Sequence, residues 1–143
     1  MHTNTNLENM DNHLKPIISP NAEGRLYKLG AKENTEVLFK ADGEEVNNQY
    51  AITEWWIDKN GPGPDPHVHE HNDELIYVIE GPISVLIGEE WQELQKGGLV
   101  IIPSGTQHTF SNKSDQRVGL LNILLNGAYE AMMPQITKLF ANR

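Results

Sequence analysis

Two spaced patterns constrain this chain more than anything else in it: Gly61-x5-His67-x-His69-x4-Glu74-x6-Gly81 and Gly97-x5-Pro103-x-Gly105-x2-His108-x3-Asn112. Glycine and proline punctuate both, and these residues end extended segments because they supply or impose turn geometry. The chain from residue 25 onward therefore reads as many short strands joined by turns, an all-β sandwich or barrel. Candidate strands are 25–29, 35–40, 49–58, 67–70, 74–80, 83–88, 91–94, 98–102, 107–112 and 117–126. Gly81-Pro82 separates two β-rich runs and reads as a hairpin turn. Gly61-Pro62-Gly63-Pro64-Asp65-Pro66 reads as a stiff loop, since residues before proline avoid the helical region.

The two ends differ from this middle. Residues 1–24 are polar and rich in Asn, with Pro16 and Pro20 flanking Ile17-Ile18. They read as an N-terminal arm with a short strand near 15–19, preceding a single domain over 25–143. At the other end Tyr129, Met132, Met133, Ile136, Leu139 and Phe140 recur near a 3.6-residue period. An interior proline loses a helix donor, so the pattern predicts a helix beginning at Pro134 and preceded by a separate turn. Packing on the outside of the sheet is the expected role of that helix.

At 143 residues the chain suits one domain. Its formal charge of −9 argues against nucleic-acid partners and anionic membrane surfaces. Zero cysteines remove disulfides, thiolate ligands and cysteine nucleophiles together. No apolar run approaches a transmembrane length and no leader pattern opens the chain, so a cytoplasmic location is expected.

Four of the six histidines, His67, His69, His71 and His108, fall inside the patterns. On a strand, residues i and i+2 share a face, so His67 and His69 can aim two imidazoles inward while Val68 points away. Glu74 opens the next strand and can return a carboxylate to the same place, and His108 comes from a distant strand. Three imidazoles and one carboxylate leave two positions open on an octahedral ion. Without thiolates the candidate is one divalent transition metal: Mn, Fe, Co, Ni, Cu or Zn. His71 lies in a polar turn, where solvent exposure is expected. The same alternation sends Ile76 and Val78 inward with Glu74, and Phe110 and Asn112 inward with His108. The pocket expected from it is apolar, with Ile76, Val78 and Phe110 in its wall. Of the adjacent Trp55 and Trp56, one ring must face inward.

The two patterns resemble the paired motifs of the cupin superfamily, position by position, over residues 61–112. The resemblance implies a double-stranded β-helix, or jelly-roll, barrel with His67, His69, Glu74 and His108 as ligands of a metal inside it. The single short barrel, the proline-rich approach to His-x-His and the C-terminal helix are similar to small bacterial quercetin-dioxygenase-like cupins. That likeness implies a metal-dependent oxidoreductase of dioxygenase type in which Glu74 doubles as catalytic base. A metal-anchored binding module without turnover and a metal-dependent isomerase or lyase are the other classes the family offers. Lys96, Lys113 and Arg117 lie at strand ends, which favours a small neutral or aromatic substrate. The resemblance also implies a homodimer.

Overall fold

The computed structural model describes residues 14–21 and 23–143. Nine strands form: β1 (Arg25–Leu29), β2 (Thr35–Ala41), β3 (Tyr50–Ile57), β4 (Glu74–Glu80), β5 (Ile83–Ile87), β6 (Glu90–Leu94), β7 (Leu99–Ile102), β8 (His108–Ser111) and β9 (Val118–Leu125). They make a six-stranded sheet in the order β1-β2-β3-β9-β4-β7 and a three-stranded sheet in the order β6-β5-β8. Every ladder is antiparallel. This is the all-β arrangement expected from the spacing of the turns, in the jelly-roll form that the family resemblance implied.

The inward faces follow from side-chain alternation. In β3, Ala51, Thr53, Trp55 and Ile57 are buried while their neighbours are partly exposed. In β9, Leu120, Asn122 and Leu124 alternate in the same way after the buried Val118 and Gly119. Trp55, Ile57, Val118 and Leu120 join Leu29, Val37, Phe39, Ile76, Val78, Ile83, Val85, Ile102 and Phe110 in one core between the sheets. Trp55 is thus the inward ring of its pair. Trp56 lies on the outer face, where Gly119 leaves room for it; a Cβ at Gly119 would stand 2.4 Å from the ring.

Three sequence expectations change. Residues 67–70 form no strand: His67 alone makes a bridge, exchanging backbone hydrogen bonds with His108 at 3.0 and 2.9 Å. The proline at 66 removes the donor that would have extended the ladder toward the loop. Gly81-Pro82 is no hairpin turn, because β4 and β5 belong to different sheets and the dipeptide carries the chain between them. Residues 15–19 adopt no strand. His2 and His13, with most of the arm, lie outside the described residues.

The C-terminal element matches its sequence pattern. A 3-10 turn (Glu130–Met132) precedes helix α1 (Met133–Phe140), with Pro134 in the first turn, where a missing N–H costs no hydrogen bond. Asp42 ties this segment to the barrel: its Oδ1 accepts the backbone N–H groups of Tyr129 at 2.9 Å and Glu130 at 3.2 Å. No helix among the described residues is long and apolar enough to cross a membrane.

Candidate metal centre

His67, His69, Glu74 and His108 converge at one end of the barrel. One potential ligand atom from each lies within 4.8 Å of the other three. Ligands about 2.0–2.2 Å from a common ion are at most about 4.4 Å apart, so a few tenths of an ångström of side-chain movement would close the set. The imidazole centroids are 4.4 Å apart for His67 and His108 and 4.9 Å for His67 and His69.

Backbone carbonyls orient two of the rings. Nδ1 of His67 sits 2.6 Å from the carbonyl oxygen of Asp65, and Nδ1 of His108 sits 2.8 Å from that of Thr106. A proton donated from each Nδ1 leaves the Nε2 lone pair free for the shared centre, the arrangement that supports imidazole ligands. The loop carrying Asp65 is held in turn by Thr109 and Thr35. Their hydroxyls donate to the carbonyls of Pro64 at 2.5 Å and Pro62 at 2.8 Å.

Glu74 is 4 % exposed and His108 1 %. Oε1 of Glu74 accepts the side-chain amide of Asn122. Oε2 meets Nε2 of His108 in direct contact, and neither atom has a hydrogen-bond partner elsewhere. Two buried, otherwise unpartnered acceptors facing each other need a proton or a cation between them. The donor set therefore fits a divalent ion of borderline character.

The proton affinities carry the same tension. Burial pulls His108 down, but the hydrogen bond with the Glu74 carboxylate and its charge outweigh that, leaving His108 above its usual value. Burial pushes Glu74 up, yet His108, Asn122 and His69 together hold it below the usual carboxylate range. Burial lowers His69, and the Glu74 charge only partly reverses that.

Above the cluster lies a cavity of about 420 Å³, within the usual range of about 300–1,000 Å³ for small-molecule sites. His67, His69 and Glu74 open into it, whereas His108 stands behind them. Trp55, Phe110 and Leu124 form its barrel side, and Tyr129, Met132, Ile136, Leu139 and Phe140 its cover. The C-terminal segment thus spans the barrel mouth, which corrects the expectation that it packs outside the sheet. Its apolar stripe is the continuation of the barrel's own apolar interior.

Of the three residues expected in the pocket wall, Phe110 is there. Ile76 and Val78 share the face of Glu74 but point deeper, into the core, at 0 % exposure. The reason is their distance along β4: each step of two residues moves about 7 Å from the mouth. His71 is exposed, as expected. Asn112 serves the backbone: its amide donates to the carbonyls of Ile57, Asp58 and Gln116 at 2.9, 3.2 and 2.7 Å.

Sequence reasoning missed Asn122, Tyr129 as a polar wall group, and Arg143. Asn122 is the one polar side chain in Val118–Leu125, and that interruption of an apolar strand was the available signal. Tyr129 shares a 2.7 Å hydrogen bond with Thr53, and burial holds its phenol well above the usual range.

A jelly-roll barrel whose mouth gathers three imidazoles and a carboxylate beside a cavity defines a fold with a cluster that could hold one metal ion. The chain belongs to the cupin superfamily; the family model for the cupin domain matches residues 54–124. Among solved structures it resembles KdgF from a Halomonas species, with 18% identity, 82% of this chain and 99% of that one covered, and a TM-score of 0.69. A predicted oxalate decarboxylase from Thermotoga maritima aligns at 14% identity over 76% of this chain and 97% of its own, TM-score 0.68. The polyketide cyclase RemF from Streptomyces resistomycificus aligns at 24% identity over 78% and 80%, TM-score 0.63. At such identities the likeness shows the fold alone. No curated protein matches the chain in sequence.

Proposed function

We propose that the protein is a mononuclear metal-dependent oxidoreductase of dioxygenase type. Its substrate is a small, largely apolar or aromatic molecule that offers an enol, phenol or similar oxygen donor. The observation that carries this reading is the junction of cluster and cavity: His67, His69 and Glu74 face an interior walled mainly by rings and aliphatic side chains, with Asp65, Asn72, Asn122 and Arg143 among its polar members. His67, His69, Glu74 and His108 would hold one divalent transition metal, which supplies Lewis acidity and open coordination positions.

The chain's own groups do the rest. Asn122 fixes one oxygen of Glu74, so the other oxygen keeps its aim at the site and can accept a substrate hydroxyl proton. Trp55, Phe110 and Phe140 offer flat walls; Trp55 meets Phe110 edge-on at 5.1 Å. The segment 129–140 limits water at the reacting atoms.

The test is metal analysis of the purified protein, then oxygen uptake with flavonols, catechols and β-diketones. Uptake that disappears in Glu74→Gln while metal is retained supports the reading. Turnover without oxygen uptake would assign the site to isomerase, lyase or cyclase chemistry. The same proton acceptor and the protonated Tyr129 phenol favour that second reading, because proton transfer alone suffices for it. Ligand binding without turnover under any redox metal would leave a binding module.

The proposal includes a homodimer. On the outer face of the larger sheet, Tyr77 pairs with Leu99 and Leu75 with Ile101. Tyr77, Leu99 and Ile101 are 46, 54 and 61% exposed there, an apolar surface suited to a second copy. Light scattering of the purified protein, with Ile101→Lys as control, reads the state directly.

A further inference from the structure

The cavity contains one permanently cationic side chain among the described residues, Arg143, which follows the covering segment and meets Asp65 on the loop before His67. Its position is fixed from several sides. Its backbone N–H donates to the Phe140 carbonyl at 3.0 Å, and its carbonyl accepts the Ala31 N–H at 2.9 Å. The guanidinium lies over the Phe140 ring at 5.2 Å.

Its ionic partner is weak. Nη1 lies 3.2 Å from Oδ1 of Asp65, whose side chain is 83% exposed. An ion pair that exposed contributes little and exchanges readily for another anion. The remaining guanidinium N–H groups have no protein acceptor among the described residues. The other cations considered for the pocket are engaged elsewhere: Arg117 with Glu36 and Asp58, Lys96 with Glu80, and Lys113 over Trp91.

We propose that Arg143 binds an anionic group of the substrate, which makes the preferred ligand an aromatic or apolar carboxylic acid with an oxygen donor at its opposite end. This rests on the cavity being the substrate site, and it replaces the expectation of a neutral ligand. The donor end meets the cluster, the ring lies among Trp55, Phe110 and Phe140, and the carboxylate displaces Asp65 from Arg143. A planar guanidinium presents paired donors that match a carboxylate.

The experiment uses zinc-loaded protein, in which no redox turnover occurs, and isothermal titration. The probes are 4-hydroxybenzoate, 4-hydroxycinnamate and 6-hydroxy-2-naphthoate, each compared with its primary amide. At least one acid should bind about tenfold more tightly than its amide, the usual scale of a charge-assisted hydrogen bond. Arg143→Gln should abolish that preference by lowering acid affinity more than amide affinity, with zinc affinity unchanged. Arg143→Lys should restore part of it, and Asp65→Asn should tighten acid binding.

A series in which no acid outbinds its amide overturns the proposal. So does a preference that survives Arg143→Gln, which would place the carboxylate on the metal instead. Unchanged melting of Arg143→Gln separates lost recognition from lost fold. Acid preference without oxygen uptake in the redox-metal protein would retain Arg143's role and remove the dioxygenase reading. Oxygen uptake with neutral substrates only would do the reverse.

Discussion

Asn122 donates its side-chain amide to Glu74 across the β9–β4 ladder, two residues out of direct register, since Glu74 pairs with Leu124 and Asn122 with Ile76. The bond leaves one carboxylate oxygen satisfied and the other committed to the shared centre. Asn122→Leu should therefore weaken metal binding by about 10–100-fold, as loss of an outer partner does at such sites. It should also cost about 1–3 kcal/mol of stability in the metal-free protein, because Oε1 is left buried without a donor. Competition with a chromophoric chelator and thermal melting measure the two effects. Unchanged metal affinity would show that the amide does not orient Glu74.

Acidity in the metal-free protein should follow the coupled pair. His108 is raised above 6.5, so its contribution to stability is complete below that value and is lost as pH rises through the raised one. Glu74 is lowered below 4.5, so its contribution is present above that value and is lost as pH falls through the lowered one. The pair therefore stabilises the metal-free fold most between about pH 4.5 and 6.5. Metal binding must displace the His108 proton, so apparent affinity should rise about tenfold per pH unit until His108 is neutral. Melting temperatures with and without zinc from pH 4.5 to 8.5 should show metal stabilisation growing as the metal-free protein weakens.

Gly63 and Gly105 should respond to alanine for different reasons. A Cβ at Gly63 would stand 2.1 Å from the Phe110 carbonyl oxygen, a clash with backbone that cannot rotate away. Gly63→Ala should displace the loop bearing Asp65, costing about 1–3 kcal/mol and weakening metal binding with it. Gly105 has open space but a φ of +82°, so its alanine variant should lose about 1–2 kcal/mol from backbone strain. Chemical denaturation and metal titration of both variants make the comparison; metal affinity equal to wild type in Gly63→Ala would argue that the loop does not set His67.

The cluster of three histidines and Glu74 was legible because its information is local. His67-x-His69 needs only an extended backbone, and Glu74 and His108 open strands whose ends glycine and proline mark. Asn112 was legible for the same reason, as a polar residue closing a strand. Arg143 and Asn122 were not, because each reaches the site across separations of 78 and 48 residues, to Asp65 and Glu74. Alternation gave the face of Ile76 and Val78 but not their depth, which depends on where the mouth lies along β4. Gly81-Pro82 marked the break between two strands correctly, yet the residues at a break do not say which sheet receives the next strand. The helix boundary at Pro134 was local; its destination over the mouth was set by Asp42, 87 residues from Tyr129.

That anchoring makes Asp42 the place to test the cover. Its Oδ1 takes two backbone N–H groups at the start of the segment, from Tyr129 and Glu130, which have no helical acceptor of their own. Asp42→Ala should cost about 0.5–2 kcal/mol, the range for losing a cap. The cost should be concentrated in the segment, so amide exchange should accelerate in 129–140 well before the strands respond. Ligand affinity should fall with it, because Tyr129, Ile136 and Phe140 supply cavity wall. Zinc affinity should hold, because the four ligands come from the loop before β4, from β4 itself and from β8. Asp42→Asn retains an acceptor oxygen and should recover most of the protection. Uniform loss of exchange protection across the strands would instead make Asp42 a general stabiliser of the barrel and leave the cover held by its apolar contacts alone.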